Sequence, residues 1–197
     1  MTFLRLCFAV LLMATAWHYF STRPVHHAAG ILVENNPEQS NSLAVAPFAV
    51  GDYQVTPLAT FTVRARVLRV EKYYVGREAD LSPIDVALGW GVMSDTTAID
   101  KLNISQGNRF YFYSWSDDPP LPVADIVEHS ANMHLIPSST YIKKKLNHIR
   151  VGHIVEFSGY LVRADASDGW SWTSSLTRAD SGAGACEVVW VNSVSIQ

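Results

Sequence analysis

Apolar and polar positions alternate through residues 61–67: Phe61, Val63, Ala65 and Val67 fall on one side, Thr62, Arg64 and Arg66 on the other. A period of two predicts a β-strand with one buried face. The phase then slips to Leu68 and Val70, which predicts a bulge or sharp bend. After a turn at Gly76 and Arg77, Ser82 stands as a helix cap, Pro83 suits a first turn and Asp85 lies three residues past the cap. That spacing predicts a short helix over 83–88, closed by Gly89-Trp90-Gly91. Asp95 caps a second over 96–102. Residues 109–115 are aromatic on both faces, which places them at a sheet centre or beneath the inserted helices. Pro122 starts a helical turn over 123–128, and 133–136 is a short extended run closed by Pro137. The clearest helix follows a cap at Ser138 or Ser139, with Ile142, Leu146 and Ile149 as its apolar stripe and lysines toward its end. Strands are predicted over 154–164, 170–177 and 186–196, separated by turns at 165–169 and 181–184.

The fold class expected from this pattern is mainly β with short inserted helices. A strand, a helical insertion, two strands, a helix and closing strands resemble a small OB-type Greek-key barrel, with another small β-barrel or a sandwich as the alternative. Ahead of it, residues 1–22 hold one charge, Arg5, in an otherwise apolar run, the pattern of a signal peptide or membrane anchor. Ala14-Thr15-Ala16 offers a small-residue cleavage site, while Trp17, Tyr19 and Phe20 extend the run toward an interfacial aromatic belt. Pro and polar residues make 23–57 an extended linker or arm, leaving 58–197 as the barrel domain.

Composition sharpens this picture. With 48% hydrophobic and 17% charged residues, the chain has enough apolar surface for one packed core. Outside the N-terminal segment Cys186 is the single cysteine, so the domain has no internal disulfide and no multi-cysteine metal site. A net charge of -3 supplies no bulk attraction for nucleic acid, which argues against such a partner. The run Lys143-Lys144-Lys145 reads as a solvated helix face, and no glycine-rich loop precedes a helix to cradle phosphate. His129 and His134, five residues apart, make no metal motif. Neither a metal nor a cofactor is expected.

The phrases Ser82-Pro83-Ile84-Asp85, Gly89-Trp90-Gly91, Ser130-Ala131-Asn132-Met133-His134 and Gly184-Ala185-Cys186-Glu187 resemble those of a family of small, signal-anchored bacterial envelope proteins without an assigned activity. The resemblance covers the chain from about Pro57 onward. It implies a bacterial envelope location and transfers no site. With the N-terminal segment, the chain is expected in the inner membrane facing the periplasm, or in the periplasm after cleavage, as a binding or accessory module whose partner is an envelope protein or cell-wall component.

Three readings remain open, the last of them an OB-type nucleic-acid or oligosaccharide binder using exposed aromatics beside Lys143-Lys144-Lys145 and Arg150. A thiol-dependent hydrolase or transferase would use Cys186 as nucleophile and His134 as base, with Asn132, Asp85 or Asp95 orienting the ring. Sortase transpeptidases share the anchored barrel, Cys and upstream His, but they also need an Arg after the Cys, and none follows Cys186. A cysteine opening a strand is more ordinarily a small buried hydrophobe. A binding module would instead present Asp85, Trp90, Asp95 and Asn132 on the inserted segment, against the plainer reading that Trp90 plugs the barrel and Asn132 satisfies backbone groups.

Overall fold

The computed structural model describes residues 2–178, 180, 182 and 184–197. The N-terminal segment forms one helix, α1 (Thr2–Thr22), along which Phe3, Leu6, Phe8, Val10, Leu11, Leu12 and Met13 are exposed. The side chains of Trp17 and Phe20, expected in an aromatic belt, lie outside the described residues. Among the described residues, no helix is long and apolar enough to cross a membrane.

The segment expected as a linker lies against the domain. The Val25 amide donates to the Val151 carbonyl at 2.9 Å, Gly91 donates to the Val33 carbonyl at 2.7 Å, and Val33 is buried in the main core. Short strands β1 (Glu38–Ser40) and β2 (Phe48–Val50) both pair with β3 (Tyr53–Lys72). The sheet's long strand therefore begins five residues ahead of the expected boundary at 58. Proline at 57 does not stop it, because the register against its neighbour shifts between Pro57 and Ala59, and such irregularities accommodate a missing N–H.

The alternation through 61–67 is borne out within β3, where Phe61, Val63, Ala65 and Val67 are buried. The slip after it is a register shift between Val67 and Arg69, with both Val67 and Leu68 inside. The expected helix over 83–88 is not formed. Its place is taken by β4 (Ile84–Gly89), buried at all six positions, while the helix α2 (Arg77–Leu81) comes one turn earlier. Pro83 and Ser82 imitate a cap, but a strand covered on both faces carries no alternation to oppose that signal.

After β4 come a 3-10 turn at Gly91–Ser94, α3 (Thr96–Ile99), β5 (Asn103–Gly107), β6 (Phe110–Ser114) and α4 (Val123–Glu128). The aromatic run belongs to a separate two-stranded hairpin of β5 and β6, off the main sheet. The chain returns through β7 (Ser130–Pro137), α5 (Thr140–Leu146), β8 (Ile154–Ala166), β9 (Ser171–Thr173) and β10 (Glu187–Ile196).

The result is mainly β, with a large sheet and short helices. Its pairings close on themselves: β3 pairs with β4, β4 with β7, β7 with β10, β10 with β8, and β8 with β3. All are antiparallel except β7 with β10. Gly159 sits where β8 passes β10, and a Cβ there would lie 1.8 Å from the Trp190 carbonyl oxygen. Three cores follow. The ring interior holds Phe61, Leu88, Met133, Phe157 and Val189; a second cluster covers part of the outside around Val55, Val162 and Val188; a third packs the insertion onto the outer face through Ala87, Met93 and Ile126.

Helix α5 is capped by the Ser139 hydroxyl, which accepts from the Ile142 amide, and its Ile142 and Leu146, with Ile149 beyond it, enter the ring interior. Leu146→Ala is therefore expected to cost about 2–4 kcal/mol and Lys144→Ala less than about 0.5. Urea melts of the two variants check this, and equal small losses would contradict the packing.

Candidate functional site

The hairpin β5–β6 turns on Asn108 and Arg109, both left-handed, with φ of 51° and 69°. Two-residue hairpin turns require positive φ at both positions, and Asn followed by Gly is the usual solution. Arginine at the second position carries backbone strain that glycine would avoid. What holds it there is the side chain. Arg109 Nη1 donates to Asp85 Oδ1 at 2.7 Å and to the Ser82 carbonyl at 3.0 Å, and its guanidinium lies 3.7 Å from the centre of the Tyr73 ring. The Arg109 amide donates to the Tyr73 hydroxyl at 3.0 Å.

Strand register brings the sequence-predicted residues to this turn. Along β4, Ile84, Val86 and Leu88 fill the ring, so Asp85 and Ala87 face outward; across the pair, Asp85 stands opposite His134 and Ala87 opposite Asn132. His134 Nδ1 lies 3.0 Å from Asp85 Oδ1, and both side chains are buried. The imidazole also packs against Trp172, with ring centres 4.6 Å apart. Asn132 clasps the hairpin from below: its Nδ2 donates to the Arg109 carbonyl at 2.9 Å and its Oδ1 accepts from Gln106 Nε2 at 2.6 Å.

Cys186 immediately precedes β10, whose Val188 lies beside His134. Its sulfur is 3.6 Å from Asn132 Nδ2 and donates to the Arg109 carbonyl at 3.8 Å. Asp85, Asn132, His134 and Cys186 thus gather beneath one hairpin turn. No hydrogen bond joins Cys186 to His134: the thiol turns to Asn132 and Arg109, the imidazole to Asp85 and Trp172. Burial pushes the Cys186 thiol up to about 11, against the Asn132 bond and with help from the nearby carboxylates Glu187, Asp85 and Asp180. Near neutral pH it is a protonated thiol, the form that is not a nucleophile.

Beside the thiol opens a cavity of about 360 Å³. The aromatic residues of β6 form one wall, the start of β7 another, and Arg178, Asp180, Cys186 and Glu187 complete it. Glu187 opens β10 yet is only 1% exposed, with Oε1 2.9 Å from Arg178 Nε. Burial raises its carboxyl to about 8, opposed by the Arg178 charge. Its Oε2 is buried and has no hydrogen-bond partner among the described residues. Asp180 accepts from the Ser175 hydroxyl at 2.6 Å. Of the glycine-rich turn expected at 181–184, Ser181 and Ala183 lie outside the described residues.

Two predicted ligand residues lie elsewhere. Trp90 is fully buried in the ring's core, so it plugs the ring rather than offering a surface. Asp95 caps α3 by accepting from the Thr97 amide, and it also accepts from the Gly30 amide at 2.9 Å. Those backbone bonds, Gly30 first, hold its carboxyl below the usual range. Its work is to fasten the N-terminal arm. Among the described residues, no cluster of three His, Cys, Asp or Glu side chains is placed to hold a metal.

Sequence reasoning passed over Arg109, Arg178 and Glu187. The one available signal was Glu187 itself, a charged residue inside the apolar run that starts β10. No protein-family model, curated protein or solved structure matches this chain.

Proposed function

We propose that the chain is a binding module of the bacterial cell envelope, an OB-type barrel behind an N-terminal hydrophobic segment, which takes part of an envelope protein or cell-wall component into the cavity beside Cys186. The barrel reading is supported by three strands, a helix and two strands whose pairings close into a ring. Barrels of that class bind along their second and third strands and through the loops that join the first strand to the second and the fourth to the fifth. The corresponding strands here are β4 and β7. The inserted hairpin covers most of their outer face and leaves a cavity at the β7 edge, walled also by Arg178, Asp180, Ala185 and Cys186 ahead of β10. That cavity, in that position, carries the proposal. The exposed apolar side chains of α1 support attachment through the N-terminal segment.

The covered face and the acids Asp180 and Glu187 weigh against nucleic acid as the ligand. A thiol-dependent reaction is the second reading, favoured by the Asp85–His134 pair on the face that also carries Cys186. It is opposed by the raised pKa of the thiol and by the Arg109 carbonyl that the thiol meets.

A photo-crosslinking phenylalanine analogue placed at Phe112, on the exposed mouth of the cavity, and separately at Tyr141, on the far helix α5, separates site from surface. In envelope preparations the Phe112 position is expected to give discrete adducts that the Tyr141 position does not. Equal or absent adducts contradict the binding reading. Fast iodoacetamide labelling of Cys186 at pH 7 that is lost in His134→Ala would replace it with thiol chemistry.

A further inference from the structure

At one end of the ring lies a second cavity, of about 870 Å³. Its apolar lining of Val70, Ile149 and Ile196 is continuous with the ring's core. The charged lining is cationic: Lys72 from the end of β3 and Arg150 from the turn after α5, with His148 and His153 beside them and no aspartate or glutamate among the lining residues. Glu71 stays out, because strand alternation turns it away from Val70 and Lys72, to the face where it stands opposite Asp85. Burial first, and then the Arg150 charge, hold His153 below the ordinary imidazole value. Near neutral pH its ring is therefore uncharged, and Lys72 and Arg150 supply the positive charge.

The cavity's position says what it meets. Thr22, the last residue of α1, lines it, and the Val25 amide is bonded to the carbonyl of Val151, another lining residue. The apolar helix therefore leaves the domain at the cavity's mouth. Tyr74 also lines the cavity, and it and its neighbour Val75 are 83% and 91% exposed. An exposed tyrosine and a cluster of Lys and Arg, both next to an apolar segment, are the pattern of a protein face that meets lipid headgroups. The chain's net charge of -3 supplies no bulk attraction to an anionic surface. A preference for such a surface has to come from a local site of this kind.

We propose that this face docks on an anionic phospholipid surface, taking a lipid phosphate ester into the cavity beside Lys72 and Arg150, with Tyr74 and Val75 at the level of the headgroups. The proposal rests on α1 as the segment of attachment and adds the lipid chemistry that the domain itself recognises; the cavity beside Cys186 has no part in it. A lipid fits this site better than a soluble anion does, because the cations stand over an apolar floor and the site opens where the apolar helix departs. A zwitterionic headgroup offers the two cations no net charge.

A salt dependence follows. Each cation at an anionic bilayer surface strengthens binding about fivefold, and the effect falls off within a Debye length, about 10 Å at 0.1 M salt and roughly 4 Å at 0.5 M. Lys72 and Arg150 together therefore give a preference of at least about tenfold for an anionic over a zwitterionic surface at the lower salt, and most of it is lost at the higher.

The test is flotation of the full chain with two kinds of vesicle, one of phosphatidylcholine alone and one with about a third phosphatidylglycerol. Both are expected to carry the protein through α1, the anionic vesicles binding it at least about tenfold tighter at about 0.1 M salt. In the double variant Lys72→Gln, Arg150→Gln the preference should fall to about twofold or less. The control Lys101→Gln, Arg163→Gln removes two cations that do not line the cavity, and it should keep the preference. Should the first double variant fail to fold, Lys72→Gln alone is expected to lower the preference about fivefold, and no change in it overturns the proposal. Equal binding to both vesicles overturns the proposal and leaves α1 as the attachment segment; saturable uptake of inorganic phosphate in equilibrium dialysis would then make the occupant a soluble anion. A preference that survives loss of Lys72 and Arg150, or that falls equally in the control, overturns the cavity as the lipid site. Flotation with neither vesicle overturns the proposal and the attachment reading together.

Discussion

Asp85→Ala is expected to lower the unfolding free energy by about 3–5 kcal/mol, as removal of one partner from a buried charge pair does. A single carboxylate oxygen meets both Arg109 and His134. Without it, a guanidinium whose side chain is only 16% exposed and a buried imidazole lose their acid together. The left-handed turn at Arg109 loses the contact that holds its strain, so the hairpin is expected to detach from β4 and β7 before the ring itself melts. Hydrogen exchange should then quicken at β5 and β6 while β8 stays protected. Pairing Asp85→Ala with Arg109→Gly, which relieves the turn, should restore part of the loss. A loss below about 0.5 kcal/mol in urea melts would show that apolar packing alone seats the hairpin.

Trp90→Ala should cost about 3–5 kcal/mol, because the largest side chain in the ring's core disappears and the surrounding strands cannot close over the space. Trp90→Phe separates volume from chemistry. The indole Nε1 is buried without a hydrogen-bond partner among the described residues, so phenylalanine removes an unsatisfied donor along with part of the ring. Its cost is expected to be about 1.5 kcal/mol or less. If Trp90→Ala were as stable as the parent in chemical denaturation, the indole could not be a core plug, and a ligand surface there would have to be considered again.

What the residue pattern revealed, and what it hid, divides along a physical line. Period two through Phe61, Val63, Ala65 and Val67, and the stripe Ile142, Leu146 and Ile149, report a boundary between core and water, so elements with one wet face were legible. Strand β4 has no wet face: Ile84, Val86 and Leu88 enter the ring while Asp85 and Ala87 lie under the insertion. With no alternation to read, the helix signals at Ser82 and Pro83 prevailed. The aromatic run before Trp115 misled for the opposite reason. It is amphipathic within a small hairpin, Tyr111 and Tyr113 packing inward and Phe110 and Phe112 outward, but aromatic residues on both faces conceal which is wet.

For the site, residue type was informative and partnership was not. Asp85 and Asn132 were candidates to orient His134, and cross-strand register does set Asp85 beside it. The same register gives Asn132 to the hairpin, a role fixed by residues 106 and 109 that lie more than twenty positions away. Arg178 lies over the Phe61 ring and there meets Glu187, and nothing in their spacing announces it.

The N-terminal arm has a mechanical consequence. Val25 is bonded to Val151, His27 Nε2 lies 2.7 Å from the Gly152 carbonyl, and Gly30 is bonded to Asp95, all before the chain enters β1. Gly152 accepts this crossing because it has no Cβ, which would lie 1.9 Å from the Val25 carbonyl oxygen. Tension applied through α1 therefore arrives first at these fastenings, which grip two separate parts of the domain, and only later at the pairing of β3 with β8. The arm acts as a strain relief, as a cable clamp does for a soldered joint: a pull on α1 must undo short local contacts before it can shear the ring that carries the cavity.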